Sequence, residues 1–425
     1  MDWCFFLDAR TVSAIKSRPF SIPRALYPTG RGGNILAGFN RIDSTRNMNA
    51  RPGIGVVGYG FMGKVHSNAY LKIPYSFKVP AALPRLYAMC GRDATKVEET
   101  ARTLGYAGWY SDWKELIQDP VVQIVDVCTP DNEHAAPSIA AAEAGKHVIC
   151  EKPLAMTVTE ARSMADAARK ANVKNMLCHN YRFLPAVRLA RNLVDSGMLG
   201  TIYHFRAVYL QEVGHDPASP IEDCWYASGT RSGVLLGIGS HIIDMARFLV
   251  GEVRTVSGLL KTYNTSRKNQ AGKIEQVAAD EANAALFEFV SGATGTIESS
   301  GVATGRKNGH VWEINGSSGS ISYDLEDPDH LQVYTVGAPK EIRGFTNVSV
   351  TSGGHPFRMK YFVPGCNPGW EYGHVHALHH FLDCVVHDKP VAPYGATFDD
   401  GYRIQVIMKA IADSSASGRK IVLDF

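Results

Sequence analysis

The stretch that most restricts the fold is GIGVVGYGFMGKVHSNAY, at residues 53–70. A short apolar run is followed by Gly58, Gly60 and Gly63 in G-x-G-x-x-G spacing, and then by a helical pattern. The first glycine allows a tight turn, the second lets the backbone approach a pyrophosphate, and the third lets helix and strand pack closely. We therefore predict a dinucleotide site at the start of a helix, with Phe61 and Met62 of the same loop among the cofactor-binding residues.

The end of the next predicted strand, in LYAMCGRDA, bears on the choice of dinucleotide. NAD enzymes usually place an acid there for the ribose 2′-hydroxyl. This chain has Gly91, which leaves room for a 2′-phosphate, and Arg92, which can neutralise it. Asp93 comes too late for the ribose and fits the N-cap of the following helix. The pattern favours NADP, with NAD as the alternative, and a solvated Arg92 without a cofactor contact stays open.

Strand and helix patterns alternate through residues 51–178. Further short apolar runs are IVDVC and HVIC, and the intervening helical stretches are DATKVEETARTLG and HAAPSIAAAEAGK, the second of which closes on Gly145. Nearly continuous apolar strands that alternate with helices predict a parallel sheet covered on both faces. We predict a Rossmann domain over residues 51–178.

After about residue 180 the pattern changes to consecutive strands. TIYHFRAVYLQ, AALFEFV, ATGTIESSG, HVWEING and GSISYD are joined by short glycine links. Residues 335–370 read as a long loop, and a late helix over 399–418 precedes a terminal strand. The prediction is an α/β chain in which residues 179–425 form a substrate and oligomerisation domain on a large, mostly antiparallel, open sheet.

Composition excludes several classes of protein. The net charge is only +3 and no apolar run is long enough for a membrane span, so we expect neither a nucleic-acid nor a membrane partner. Eight isolated cysteines favour a reducing, cytoplasmic compartment over disulfides. Residues 1–50 have a net charge of +4 and no hydrophobic period; we expect an extension without ordered structure, a weak organelle presequence or an upstream start before Met48.

Five segments together resemble the Gfo/Idh/MocA oxidoreductases: GYGFMGKVHSNAY, TPDNEH, AGKHVICEKPLA, NYRFLPA and GIGSHIIDMARFLVGE. The resemblance covers about residues 53–425. It implies an NAD(P)-dependent transfer of hydride to or from a secondary alcohol of a sugar, anhydrosugar or cyclitol, and a homodimer or homotetramer. A shorter likeness, FRAVYLQ followed by DPASP and a tryptophan, resembles the branch that contains levoglucosan dehydrogenase.

The resemblance also implies roles for single residues. Lys152 would lie near the nicotinamide, where an ammonium stabilises a developing alkoxide. The remaining matches are Thr129, Pro130, His134 and Glu151 as cofactor contacts, and Arg182 as a substrate contact or an inter-domain salt bridge.

His241 matches the family's catalytic histidine, and an imidazole suits transfer of the hydroxyl proton. A packed histidine near a helix start is the alternative. The family usually has an aspartate four residues earlier, where this chain has Gly237. Asp244, which we also predict to contact substrate, Asp216 or Asp223 could compensate. Otherwise the mechanism is altered, the enzyme is slow, or the protein is an NAD(P)-binding regulator or a redox-assisted glycosidase.

Two further segments offer polar groups. QEVGHDPASPIEDCWY supplies Gln211 and Trp225 as a candidate wall of a sugar pocket, since such a pocket needs fixed polar groups and a flat apolar face. EYGHVHALHHF places His376 and His380 one helical turn apart, a spacing that zinc ligands use. No HExxH acid accompanies them, and we predict no metal site.

Overall fold

The structure is a computed structural model that describes residues 51–77, 83–227, 233–357, 363–367 and 369–425. The prediction for residues 1–50 lies outside the described residues. Within these ranges no helix is both long enough and apolar enough to cross a membrane.

The first sheet has six parallel strands in the order β3-β2-β1-β4-β5-β6. All five residues of the first strand are buried, as expected for a strand covered by helices on both faces. The strand order reverses between the first and fourth strands, so a crevice opens at their carboxyl ends. The strands are β1 (Gly53–Val57), β2 (Arg85–Cys90), β3 (Gly108–Tyr110), β4 (Val122–Val127), β5 (His147–Cys150) and β6 (Asn175–Leu177).

Local signals set the ends of the helices that connect these strands. Asp93 caps the second helix by accepting a hydrogen bond from the Lys96 amide, which confirms its predicted N-cap role. The fourth helix ends just before Gly145, whose φ of +73° is the left-handed conformation predicted for it. The helices are α1 (Phe61–Ser76), α2 (Ala94–Thr103), α3 (Trp113–Gln118), α4 (Ala135–Glu143) and α5 (Val158–Lys170).

The second sheet has nine strands in the order β16-β15-β14-β13-β7-β12-β11-β8-β17. Only the β7–β12 pair is parallel, so the prediction of a large, mostly antiparallel sheet is confirmed. A separate two-stranded ribbon pairs β9 with β10. The strands are β7 (Ile202–Leu210), β8 (Val253–Lys261), β9 (Ser266–Lys268), β10 (Ile274–Gln276), β11 (Ala282–Phe289), β12 (Thr294–Ser300), β13 (Gly309–Gly316), β14 (Gly319–Asp324), β15 (His330–Thr335), β16 (Thr346–Ser349) and β17 (Ile421–Val422).

The loop predicted over residues 335–370 is wrong in one part. Residues 346–349 form β16, which pairs with β15 at the edge of the sheet. The strand has only four residues, two of which are exposed, so it lacks the apolar alternation that reveals longer strands.

Further helices follow β6 along the chain, and the first, second and last of them pack on one face of the second sheet. They are α6 (Pro185–Asp195), α7 (Ser240–Leu249), α8 (Tyr372–Val386) and α9 (Phe398–Ser417). Ile242 of α7 and Ile407 of α9 share one core with Phe205 and Ile297 of the sheet. The opposite face carries exposed side chains, among them Leu286.

The end of the chain returns to the first sheet. Val375 and Leu378 of α8 are buried in the same core as Ile54 and Ile124 of β1 and β4. The predicted domain boundary between residues 178 and 179 therefore stays a prediction, because α8 follows that boundary in the sequence but packs into the core of the first sheet.

Candidate active site

A cavity of about 690 Å³ lies at the carboxyl ends of β1, β4 and β5. Its position matches the rule that parallel α/β sheets bind ligands where the strand order reverses. The second part of the chain contributes only Trp225 and Gly237 to its wall. The remaining lining residues are Val57, Gly58, Tyr59, Gly60, Phe61, Met62, Cys90, Gly91, Arg92, Ser111, Asp112, Trp113, Cys128, Thr129, Pro130, Asp131, Glu133, His134, Pro137, Glu151 and Lys152.

The glycines of the first loop differ in what their missing side chains allow. Gly58 has a φ of +113°, and a Cβ there would lie 2.5 Å from the Cys128 carbonyl oxygen. A Cβ on Gly63 would lie 1.9 Å from the Gly58 oxygen, so Gly63 serves helix packing and does not line the cavity. A Cβ on Gly60 would meet nothing within 4 Å. The backbone at Gly60 therefore borders open space.

Two features of this open space fit the phosphates and sugars of a dinucleotide. Helix α1 begins here with no side-chain cap and no acid in its first turn, so its N-terminal dipole is available to an anion. The Thr129 hydroxyl is buried without a hydrogen-bond partner among the described residues. An orphaned buried hydroxyl is costly, which a polar ligand group would relieve.

The predicted 2′-phosphate pocket is only partly as expected. A Cβ at Gly91 would lie 2.1 Å from the Tyr59 ring, so the space beside this glycine is occupied by Tyr59. Arg92 is exposed and lines the cavity. Asp93 is paired with Lys96, so it does not neutralise Arg92. The guanidinium is the group at this end of the cavity that a phosphate could meet.

His134 and Glu151 both border the cavity, but their side chains bind other groups of the protein. The His134 ring reaches the carbonyl oxygens of Pro153, at 2.7 Å, and Thr129, at 3.0 Å. It thus ties the segment after β4 to the segment after β5. Glu151 accepts a hydrogen bond from His66 at 3.0 Å.

His66 is a buried residue that the sequence analysis did not single out. Its other ring nitrogen lies 2.9 Å from Asp126 on β4, and Tyr70 donates to the same carboxylate. Burial alone would lower the pKa of His66, but the charge of Asp126 and its other neighbours raises it well above the usual value. The imidazolium in turn outweighs burial at Glu151 and holds the pKa of that carboxyl at about 2. A charged residue inside the apolar run IVDVC was the signal that such a partner must exist.

Lys152, directly after β5, lines the cavity with its ammonium group fixed. Its Nζ donates to the Gly237 carbonyl oxygen at 2.9 Å. Gly237 belongs to a π-helical turn, Leu235–Gly239, which leads into α7. π-helical turns often occur at functional sites. The position where the family usually has a carboxylate therefore contributes a backbone acceptor to this lysine.

His241 lies in the first turn of α7 and does not itself line the cavity. Its ring packs 4.5 Å from the Tyr181 ring and 5.3 Å from the His179 ring, and its Nδ1 is buried without a partner among the described residues. Burial, with added effects of the charge on Lys152 and of nearby histidines, lowers the pKa of His241 well below its usual value. His241 is therefore a neutral imidazole at neutral pH, able to accept a proton.

Hydrogen-bonded side chains continue from Trp225 past His241. Trp225 Nε1 donates to Gln211, and Gln211 donates to Asn308, each at 3.1 Å. Tyr209 also donates to Asn308, at 2.8 Å, and its hydroxyl meets that of Tyr181 at 2.7 Å. Gln211 and Trp225 were predicted for a sugar pocket. Asn308, Tyr209 and Tyr181 were missed, because they come from distant segments that only the fold brings together.

Arg182 and Asp244, which were predicted as substrate contacts, lie against each other and do not line the cavity. Both side chains are buried, and the guanidinium binds the Asp244 carboxylate at 2.6 Å and 2.9 Å. A buried charge that is fully paired with another protein group is not available to a substrate. The pair joins the short helix Asn180–Phe183 to α7, as in the alternative of a salt bridge.

None of the three suggested aspartates takes the place of the missing carboxylate. Asp244 is paired with Arg182, Asp216 binds the Ala218 amide, and Asp223 is exposed. Neither Asp216 nor Asp223 lines the cavity.

Two of the α8 histidines, His376 and His380, bind backbone oxygens. His376 Nδ1 lies 2.9 Å from the Phe183 oxygen, and His380 Nε2 lies 2.9 Å from the Val391 oxygen. Their helical spacing is explained by packing of α8 against the segments around residues 183 and 391.

The glycine loop, the crevice at the strand reversal and the adjoining Lys152 and His241 define a dinucleotide-binding oxidoreductase. The sequence matches the oxidoreductase family with an NAD-binding Rossmann fold over residues 53–179 and the GFO/IDH/MocA C-terminal domain over residues 187–322. The chain belongs to the Gfo/Idh/MocA family of oxidoreductases. The predicted family and reaction class are thus confirmed.

Several relatives are dehydrogenases. Levoglucosan dehydrogenase of Pseudarthrobacter phenanthrenivorans is 37% identical over 377 residues, which cover 85% of this chain and 96% of that protein. Myo-inositol 2-dehydrogenase of Thermotoga maritima is 31% identical over 271 residues, 64% of this chain and 75% of that protein. A levoglucosan dehydrogenase structure in complex with NADH and levoglucosan superimposes with a TM-score of 0.84, at 37% identity, over 88% of this chain and 99% of that chain.

Proposed function

We propose that the protein is a dehydrogenase that oxidises a secondary alcohol of a pyranose-like sugar, an anhydrosugar or a cyclitol. The observation that carries the proposal is a fixed ammonium on the cavity wall, Lys152 on the Gly237 carbonyl, with the neutral imidazole of His241 buried behind that wall, near enough for the Lys152 charge to lower its pKa. The relatives named above act on an anhydrosugar and an inositol.

His241 and Lys152 have different roles at the substrate hydroxyl. Burial keeps the His241 ring in its neutral form at neutral pH, so the ring has a nitrogen free to take up the hydroxyl proton. Lys152 stabilises the negative charge that grows on the oxygen. The bound nicotinamide supplies the hydride chemistry. Gly58, Gly60, the first turn of α1 and Thr129 hold the dinucleotide.

For the cofactor, we propose NADP over NAD. Support comes from Arg92, an exposed guanidinium on the cavity wall that no described carboxylate pairs with, and from the lack of an acid at Gly91. Arg92 would meet the 2′-phosphate by a charge-assisted contact. Tyr59, which fills the space beside Gly91, would form the neighbouring surface.

We also propose a homo-oligomer that forms on the outer face of the nine-stranded sheet. Leu259 and Leu286 on this face are 62% and 60% exposed. Around them lie side chains of β7 and β12 such as Arg206 and Thr296. Association of two copies would remove this apolar area from water. The buried free cysteines fit a cytoplasmic protein.

A panel of sugars, anhydrosugars and inositols, each with NADP or NAD, tests the function. Absorbance of the reduced nicotinamide should rise steadily with at least one pyranose-like substrate. Turnover of substrate without accumulation of reduced cofactor would instead indicate a redox-assisted glycosidase. Cofactor binding with no turnover of any polyol would indicate a regulator and contradict the proposal.

A further inference from the structure

Gly237 and Trp225 compete for the same volume. A Cβ on Gly237 would lie 2.1 Å from Cζ3 and 2.5 Å from Cη2 of the Trp225 indole, far inside van der Waals contact. Even alanine does not fit at position 237 while the indole stays in place. The missing carboxylate is therefore coupled to the tryptophan.

The indole is held in this position from two sides. Its Nε1 donates to Gln211, and its ring packs edge-to-face on Tyr226 at 5.5 Å. Tyr226 is fully buried and donates to Glu281 at 3.1 Å. These contacts make a swing of Trp225 away from position 237 costly, since it would break a hydrogen bond and an aromatic contact.

The exclusion of a side chain from position 237 affects both predicted catalytic residues, Lys152 and His241. Lys152 is bound by the neutral carbonyl of Gly237, so no carboxylate at this position offsets its charge. His241 follows one turn later, and its Nδ1 has no partner among the described residues. At position 237 the wall of the cavity presents the aromatic ring of Trp225 and no acidic side chain.

We propose that Trp225 is a specificity and positioning residue that excludes any side chain from position 237 and offers its indole face to the substrate. The proposal rests on the proposed dehydrogenase function and narrows its substrate class. An indole face accepts the flat C–H face of a pyranose-like ring. The hydroxyl to be oxidised would then be presented to Lys152 and His241. Gln211 holds the angle of the indole.

A double-mutant cycle followed by thermal unfolding tests the claim that Trp225 excludes a side chain from position 237, and it needs no enzymatic turnover. Gly237→Ala alone should lower Tm by about 2–6 °C through overpacking. In the Trp225→Ala background the same change should cost little, because the space is empty. Additive shifts in Tm would overturn the claim that the two residues share one volume. Gly239→Ala, in the same turn, is the matched control, since its nearest contact would be 3.1 Å.

Steady-state kinetics test the claim that the indole face of Trp225 binds the substrate ring. Trp225→Phe should keep KM for a pyranose-like substrate within about 3-fold, because a flat ring remains, whereas Trp225→Ala should raise KM at least about 10-fold, the scale of a lost aromatic contact with its buried area. In Trp225→Ala, KM should rise by a larger factor than the dissociation constant of the dinucleotide, which is followed by its fluorescence. An unchanged KM in Trp225→Ala would overturn the substrate role.

A third variant restores the carboxylate. Trp225→Ala with Gly237→Asp makes room for an acid beside His241. The charged or titratable neighbours of His241 among the described residues are Lys152, His179, Tyr181, Tyr209, His310 and His374. The acid limb of kcat/KM should move to higher pH, since a carboxylate stabilises the imidazolium. An unmoved limb would overturn the positioning role.

The failure of the proposal and that of the dehydrogenase function are distinguishable. If the wild type oxidises none of the polyols, the function fails, while the thermal cycle still decides whether Trp225 excludes a side chain.

Discussion

Replacement of His241 by alanine tests the role of the imidazole most directly. The ring is 4% exposed, and its pKa is lowered by burial and by the neighbouring charge of Lys152. Nearly every molecule therefore carries the base form at pH 7, and the substitution removes it completely. Loss of a general base costs about 100- to 10,000-fold in rate. Because Lys152 remains to stabilise the oxyanion, we expect a fall in kcat of about 100- to 1,000-fold, or about 2.7–4 kcal/mol.

The assay is the steady-state formation of reduced nicotinamide, measured from pH 5 to pH 9. Since the pKa of His241 lies well below 6.5, its protonation should not reduce the wild-type rate between pH 8 and about pH 6.5. Affinity for the dinucleotide should change less than about 2-fold in the variant, because His241 is not part of the cavity wall. Equal losses of turnover and cofactor affinity, or an unchanged kcat, would refute the catalytic role.

A matched control separates chemistry from packing. His376 on α8 is also a buried neutral imidazole, with a pKa lowered to about 4 by burial. Its ring binds the backbone oxygen of Phe183. His376→Gln should lower stability without lowering kcat. Lys152→Ala should also reduce kcat, and the double variant with His241→Ala should lose less than the product of the two single losses if the groups act together.

Three further outcomes are expected. Arg92→Ala should weaken NADP more than NAD by about 1.5–3 kcal/mol in binding titrations, and equal losses would contradict the NADP proposal. His66→Ala should lower the free energy of unfolding in urea by about 3–5 kcal/mol, because it leaves Asp126 and Glu151 buried without their shared partner. The pKa of His66 is raised, so the charge-dependent part of this contribution is complete below the pKa of the unfolded state and is lost as pH rises through the pKa of the folded state, where the difference in stability between wild type and variant should become smaller. Leu286→Glu should lower the molar mass measured by light scattering; a mass that stays that of the oligomer would exclude this face.

The first sheet could be predicted because its signals are local. The glycine loop, the nearly continuous apolar strands, the Asp93 cap and the left-handed Gly145 each lie within a few residues of the element they define. β9, β10 and β16 have three or four residues each, and strands of that length show too little alternation to be recognised.

The side-chain partners could not be predicted for a different physical reason. Arg182 and Asp244 are 62 residues apart, and either residue alone has the chemistry of a substrate contact. Only the packing of α7 against the segment after β6 shows that each satisfies the other. The glycine loop, by contrast, carries its own geometry, and its residues Gly58, Gly60, Phe61 and Met62 line the cavity.

Position 237 lacks the carboxylate that the family usually has, and we expect that restoring it there by a single substitution should fail. By sequence alone, Gly237→Asp would restore a supporting acid. In the structure, its Cβ would lie 2.1 Å from the Trp225 ring, and the Gly237 carbonyl already binds Lys152. The single variant should therefore displace the indole or distort the π-helical turn, and lower kcat/KM for the sugar together with Tm. A Gly237→Asp protein that is as stable as the wild type and more active would show that the indole does not occupy this volume in solution. In place of a side chain at position 237, this chain has the backbone carbonyl of Gly237, which binds Lys152, and the ring of Trp225, twelve residues earlier. A comparison of position 237 alone reveals neither group.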